Sequence, residues 1–312
     1  LVYAPLAPTR EALDHINRLE AQHGPVRYLI LPVSAVEHKV FFGNFASNFP
    51  DAEVWVSPGQ WSWPIPLPLS LLGLGFGRRI HILGEEKAPF ESQVKVATLG
   101  PFSLNKQLSE TQFVETCLYH VASKSMMVTD ALVYVPREPL KICEKDPYGL
   151  IFHARDRQDD YMANSVEKRE EGWFKTALLA LYIRPSCLDI SNPNEPFIWN
   201  NWREAFDDTA ERLMATPSLN QLVFRRFQPD VKRWLDMVSK WDIERVIPSH
   251  FGVAEGVSTQ EVITAFQGGF VSPGESKGIG AVDKDVDNME FLVGIDATFK
   301  EFGVVPPETG DE

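Results

Sequence analysis

The sequence predicts a layered α/β or αββα domain, and three observations carry that prediction. Over the first 57 residues, short apolar runs alternate with stretches of helical spacing, a strand–helix–strand–helix–strand order. Between residues 80 and 135 a series of apolar, β-rich segments follows with few helical intervals. Three helical segments then lead to one short apolar run ending in a turn, "IERVIPSHF", and to a last helix.

Taken in order, "LVYAPLAPT" reads as a strand entering a turn. "TREALDHINRLEAQ" follows as a helix, capped by Thr9 and apolar at Leu13, Ile16 and Leu19. "VRYLILPV" is a strand, "HKVFFGNFASNF" a helix facing inward through Phe41, Phe42, Phe45 and Phe49, and "AEVWVSP" the next strand. "RIHIL", "VKVATLG", "FVETCLYHVA" and "SMMVTDALVYV" are strands, the last two joined by a hairpin at "SKS". From Arg137 to Glu171 the chain is polar and weakly periodic, the texture of a long loop or inserted lobe. "GWFKTALLALYI", "NWREAFDDTAERLMA" and "QPDVKRWLDMVSKW" are helices, "IERVIPSHF" a short strand and turn, and "STQEVITAFQGGF" the closing helix.

Four parts are expected: residues 1–136 as the N-terminal part of the sandwich, 137–240 as a helical and loop insertion, 241–270 as the closing strand and helix, and 271–312 as an irregular tail outside the core. At 312 residues the chain is long enough for a large core. Its net charge of −13 argues against a phosphate-backbone surface, so no nucleic-acid partner is expected, and argues weakly against anionic membranes. The three cysteines, Cys117, Cys143 and Cys187, share no close spacing and read as reduced thiols. No apolar stretch reaches the length of a membrane helix. The chain opens without Met, which reads as a start inside a longer precursor with a targeting segment ahead of it.

The chemistry gathers at strand ends, where open α/β sheets keep their sites. Glu37 and His38 follow one apolar strand, Glu115 lies on another, and Asp130 and His250 each follow a further one. Imidazoles and carboxylates together suit zinc, iron or manganese. The same groups also suit a metal-free hydrogen-bond network holding strand ends together. Other motifs carry less. "GLGFG" (73–77) follows a proline-rich segment and no Lys-Ser/Thr follows it, so it is not a phosphate loop. If Glu115 faces the site, strand alternation turns His120 away from it, and Cys117 reads as a small apolar filler. The uncharged run from Trp61 to Phe76 either folds onto its own lobe or serves as a docking surface for a protein or a membrane face, with Trp61 and Trp63 as anchors.

"APLAPTREAL", "LPVSAVEHKVFFGNFASNFP", "VSPGQWSWPIPLPLSLLGLG", "ETCLYHVASKSMMVTDALV", "GWFKTALLALYI" and "ERVIPSHFG" together resemble an uncharacterised domain-of-unknown-function family of plants, algae and cyanobacteria, a remote branch of the metallo-β-lactamase-like proteins. The resemblance runs from Leu1 to Phe270 and leaves the tail outside. It implies a four-layer αββα sandwich with a helical insertion. It also implies a ligand set of Glu37, His38, Asp130 and His250 for one metal, zinc, iron or manganese. The two histidine positions of the family's other metal are Val33 and Ala35 here, which cannot coordinate, and Glu115 stands nearest the third. The resemblance therefore implies one metal at most, with Glu115 as a further ligand or catalytic base. Two functions follow from it: a catalytically degenerate interaction or assembly subunit, attached in the plastid to a photosynthetic complex through Trp61 and Trp63, or a mononuclear metal-dependent hydrolase of a small substrate.

Overall fold

The structure is a computed structural model that describes residues 1–60, 69, 78–103, 112–157, 160–191, 197–266 and 286–306. The run Trp61–Phe76, apart from Leu69, and "GLGFG" lie outside the described residues.

Along the chain, β1 (Val2–Tyr3), α1 (Arg10–His23), β2 (Tyr28–Leu31), α2 (Val36–Lys39), α3 (Phe42–Ala46), β3 (Glu53–Val56) and β4 (Ile80–Ile82) come first. Next are β5 (Val94–Ser103), β6 (Gln112–His120), β7 (Ser125–Met127) and β8 (Leu132–Tyr134). The middle of the chain forms α4 (Tyr148–His153), α5 (Val166–Tyr182), β9 (Leu188–Asp189), β10 (Ile198–Trp199), α6 (Trp202–Asp207), β11 (Leu213–Ala215), α7 (Pro217–Leu222) and α8 (Gln228–Val238). The last elements are β12 (Arg245–Ile247), β13 (Ala254–Glu255), α9 (Thr259–Phe266) and α10 (Val286–Glu301). The architecture is mixed α/β. None of the described helices is long and apolar enough to cross a membrane.

The chain divides into two compact units, one from residues 1–130, 227–243 and 304 onward, the other from 131–226 and 244–303. In the first, β1 to β4 form a parallel sheet in sequence order. Leu29, Leu31, Val54 and Val56 are fully buried on one face against Phe42, Phe45, Ala46 and Phe49 and the half-buried Leu13 and Ile16 of α1. Ile30 and Trp55 face the other way, onto Leu83, Phe90, Val94 and Leu118. A strand buried on both faces reads as a continuous apolar run, which is why "YLIL" and "VWV" show no polar alternation. Thr9 caps α1 as expected, its hydroxyl accepting from the Ala12 N–H at 3.2 Å. The hairpin at "SKS" also forms, pairing His120 with Ser125. On the far side of β6, Tyr119 stacks on Trp241 at 5.2 Å and donates to the Asp242 carbonyl at 2.8 Å, and α8 packs against β5.

In the second unit, β8 and β11 pair antiparallel, and a core of Leu178, Phe206, Met214 and Leu292 fills the space among α5, α6 and α10. Phe174 stacks on Phe206 at 3.8 Å. Three expectations are corrected here. "SMMVTDALVYV" is not one strand, because it breaks over 128–131 into β7 and β8. The helix expected over "NWREAFDDTAERLMA" stops at Asp207 and gives way to β11; Asp207 and Asp208 are unfavourable at the negative end of a helix dipole, and Glu211 takes a left-handed φ of 57°. The tail expected to be irregular contains α10, whose Leu292 is fully buried in the core. Its buried face also carries Asn288 and Asp296, and those polar groups hide the apolar period.

The polar stretch expected as loop up to Glu171 turns helical at Val166, where the Ser165 hydroxyl accepts from the Lys168 N–H at 3.3 Å. Glu171 of this first part of α5 meets Lys168 at 2.6 Å and the fully buried Lys175 at 2.8 Å, and Lys175 also meets Asp156 at 2.7 Å. Burial pushes the Glu171 carboxyl up, but the hydrogen bonds and charges of both lysines outweigh it, so its pKa lies below the ordinary glutamate value. A depressed carboxylate stabilises the fold at pH above its unfolded pKa, and that stability is lost as pH falls through the folded one. Thermal melts of the wild type and Glu171→Gln across pH are therefore expected to differ by a constant amount near neutrality and to converge in acid. A gap that persists at the acid end contradicts this.

Candidate metal centre

After Leu31 the chain leaves the parallel sheet and is stitched onto β6. The Thr116 N–H donates to the Pro32 carbonyl at 2.7 Å, and the Ser34 N–H to the Val114 carbonyl at 3.0 Å, which makes Val33 and Glu115 an antiparallel bridge pair. The Ser34 hydroxyl donates to the Gln112 carbonyl at 2.7 Å and accepts from the Val114 N–H at 3.0 Å. The Ser57 hydroxyl donates to the Pro32 carbonyl, and the Gln60 amide to the Val33 carbonyl at 2.5 Å. These bonds anchor both ends of residues 32–34, so the single helical turn of α2 starts from a fixed point. It buries His38 and Lys39 and leaves Glu37 exposed.

His38 thereby reaches Asp130. Its Nε2 lies 3.1 Å from Asp130 Oδ1, and both residues are more than nine-tenths buried. Asp130 is itself positioned by Glu115, 1% exposed, whose Oε1 accepts from the Thr129 N–H at 2.6 Å and Oε2 from the Asp130 N–H at 3.0 Å. One carboxylate thus binds two consecutive backbone amides and pins the turn between β7 and β8. The ligand-capable atoms of Glu37, His38 and Asp130 lie within 4.8 Å of one another.

Burial and nearby carboxylates shift the ionisable groups around the pair. The Tyr3 hydroxyl donates to the Thr116 carbonyl at 3.0 Å. Its pKa is pushed well above the usual phenol range, first by burial, then by the carboxylates of Glu115 and Asp130. The Cys117 thiol is pushed up by burial and by Glu115. Burial pulls the Lys39 ammonium down to about 7.

An imidazole nitrogen and two carboxylates are the donor types that zinc, iron and manganese take. Ligands at about 2.1 Å from one ion stand roughly 3–3.5 Å apart in tetrahedral geometry, and the exposed Glu37 side chain is able to close that gap. The fully buried Thr129 hydroxyl, one residue before Asp130, meets no hydrogen-bond partner among the described residues. The donor set fits a divalent ion.

Of the residues singled out in the sequence, Glu37, His38, Glu115 and Asp130 belong to one unit, and the first, second and fourth share the cluster just described. His250 belongs to the other unit, half-buried in the turn after β12. That turn is fixed by the Gly252 N–H donating to the Tyr134 carbonyl at 2.9 Å, and a Cβ on Gly252 would stand 2.8 Å from the Pro136 ring. Val33 is fully buried and offers no donor. His120 bonds Ser123 at 2.7 Å in its own hairpin. Sequence reasoning passed over Tyr3, Ser34 and Thr129. Only the placement of Ser34 inside "PVSAVEH", beside the ionisable pair, could have drawn attention to one of them.

Among curated proteins none matches this chain. Among solved structures, a fragment (1–254) of the Nostoc sp. PCC 7120 protein assigned as diflavin flavoprotein A 5 is similar over 84% of this chain and 73% of its own, at 12% identity and a TM-score of 0.34. The model of the family described as domain of unknown function DUF4336 matches residues 1–267, and the chain belongs to that family.

Proposed function

We propose that Glu37, His38 and Asp130 hold one divalent cation, zinc, iron or manganese, on an αββα scaffold of metallo-β-lactamase type. The protein works as an interaction or assembly subunit that has lost two-metal hydrolysis. The observation that carries the metal reading is the buried 3.1 Å contact of His38 with an Asp130 whose backbone is pinned by Glu115. Val33 and Ala35, where a second ion would need imidazoles, support the loss of the two-metal mechanism. Glu115 is assigned to positioning, since each of its oxygens already accepts a backbone N–H. The site of action is the plastid, with Trp61 and Trp63 as the contact to a photosynthetic complex.

The second reading, a mononuclear hydrolase of a small substrate, is favoured by the exposure of Glu37 beside a buried pair. A bound ion of this kind lowers the pKa of a coordinated water and polarises a carbonyl or phosphoryl oxygen. In that reading Glu37 faces solvent and takes up a proton at its carboxylate, while His38 and Asp130 hold the site rigid.

Elemental analysis of the purified chain, dialysed and then exposed to each metal, tests the proposal. About one equivalent of ion is expected in the wild type. His38→Ala and Asp130→Asn are each expected to lose it while keeping the wild-type circular dichroism spectrum. No retained ion in the wild type, or full retention in both variants, removes the centre. Turnover of ester and phosphodiester substrates by the loaded wild type, absent in His38→Ala, selects the hydrolase over the assembly subunit.

A further inference from the structure

A cleft of about 490 Å³ opens in the second unit, lined by Arg184 and Leu188 after α5 and by Glu290, Phe291, Ile295 and Phe299 of α10. The volume falls within the range of small-molecule sites. Large apolar side chains form part of its walls: Leu188 is buried, Phe291 and Ile295 are half-buried, and Phe299 is 37% exposed.

The polar groups are few and unequal. Arg184 is half-buried, with its guanidinium 5.7 Å from the Phe291 ring centre; the Asp189 carboxyl, lowered first by its hydrogen bonds to Ser191, is also lowered by the Arg184 charge. Glu290 is exposed to solvent. A half-buried cation beside large apolar side chains is the less easily hydrated of the two charges, and a guanidinium binds a planar carboxylate through two parallel hydrogen bonds. Ser186 adds a hydroxyl donor. The Thr298 hydroxyl is already donating, to the Gly294 carbonyl at 2.9 Å.

Two backbone features shape the cleft. Ile183, at the end of α5, sits at φ 64° and ψ −56°, and the Arg184 N–H closes onto the Tyr182 carbonyl at 2.6 Å. This three-residue turn is strained for a β-branched side chain. It ends α5 abruptly and brings Arg184 into the lining. On α10, a Cβ placed on Gly294 meets nothing within 4 Å, so the glycine opens the floor of the cleft.

We infer that this cleft binds a small monocarboxylate with an aryl or branched aliphatic body, its carboxylate on Arg184 and its apolar part against Leu188, Phe291 and Ile295. The inference uses residues of the second unit alone and does not depend on the metal centre.

Hydrocinnamate and its uncharged counterpart, hydrocinnamyl alcohol, titrated calorimetrically into the full chain, test it. The acid is expected to bind at least about tenfold more tightly than the alcohol, a difference of one decade in Kd. Arg184→Met is expected to abolish that ratio, and Gly294→Leu, which fills the floor, to abolish binding of both. Both variants are expected to melt like the wild type, because one removes a half-exposed side chain and the other grows into open space. Equal affinity for acid and alcohol, no saturable binding of either, or binding unchanged in both variants overturns the assignment.

Discussion

Replacing Glu115 by Gln is expected to destabilise the protein by about 2–4 kcal/mol and to empty the proposed metal centre. The wild-type carboxylate accepts two N–H donors from consecutive residues, at 2.6 and 3.0 Å, in a place where it is 1% exposed. Hydrogen bonds to a charged acceptor contribute roughly 1.5–3 kcal/mol each, and a buried N–H left without an acceptor costs about 1–3 kcal/mol. Gln keeps the volume and one oxygen, but its amide NH2 must face a backbone N–H, donor against donor. The turn carrying Asp130 then relaxes, and His38 loses its partner. Urea unfolding reads the effect as a lower midpoint with an unchanged slope. A loss below about 1 kcal/mol, with the ion still bound, would show that Glu115 neither pins the turn nor supports the site.

A second large effect comes from one glycine in the middle of α5. Gly172→Ala ought to help an isolated helix by about 1 kcal/mol. Here the added methyl would stand 1.8 Å from the Leu150 carbonyl oxygen and 2.5 Å from its carbon, and backbone atoms cannot rotate aside. Helix α4 must move away from α5, which also disturbs Lys175, bonded to the Ala154 carbonyl at 3.2 Å. Loss of about 3–5 kcal/mol is expected, the upper range for a single substitution. Gly149→Ala in α4 meets nothing within 4 Å and is expected to stabilise by up to about 1 kcal/mol. Chemical denaturation of both variants gives the comparison. Similar stability for the two would mean that α4 and α5 are not packed as tightly as the 1.8 Å approach requires.

Much of the first unit was legible in the sequence because its signals are short-range. The strands "YLIL" and "VWV" and the capped helix from Thr9 are each written in a window of about ten residues, and the structure forms each of them. Reading failed where charges at a helix end or buried polar groups outweigh the apolar period. Asp208 and Glu211 end a helix that its apolar positions would have extended, and α10 hides behind the buried Asn288 and Asp296. Asp296 is tolerated in that core because Arg226, fully buried itself, pairs with it. A polar residue in a helix sequence does not announce its partner 70 positions away.

The sequence by itself determined the alternation of elements, the absence of a long apolar helix among the described residues, and the residue types that bring imidazole and carboxylate to strand ends. Only the tertiary structure decided that His38 and Asp130, 92 positions apart, touch, and that Glu115 spends both oxygens on the backbone next to Asp130. The reason is the range of the forces involved. Helix and strand periods arise between near neighbours in the chain, whereas the site depends on a few buried hydrogen bonds that fasten residues 32–34 to β6 across some 80 positions, and their worth appears only once water has been excluded from around them.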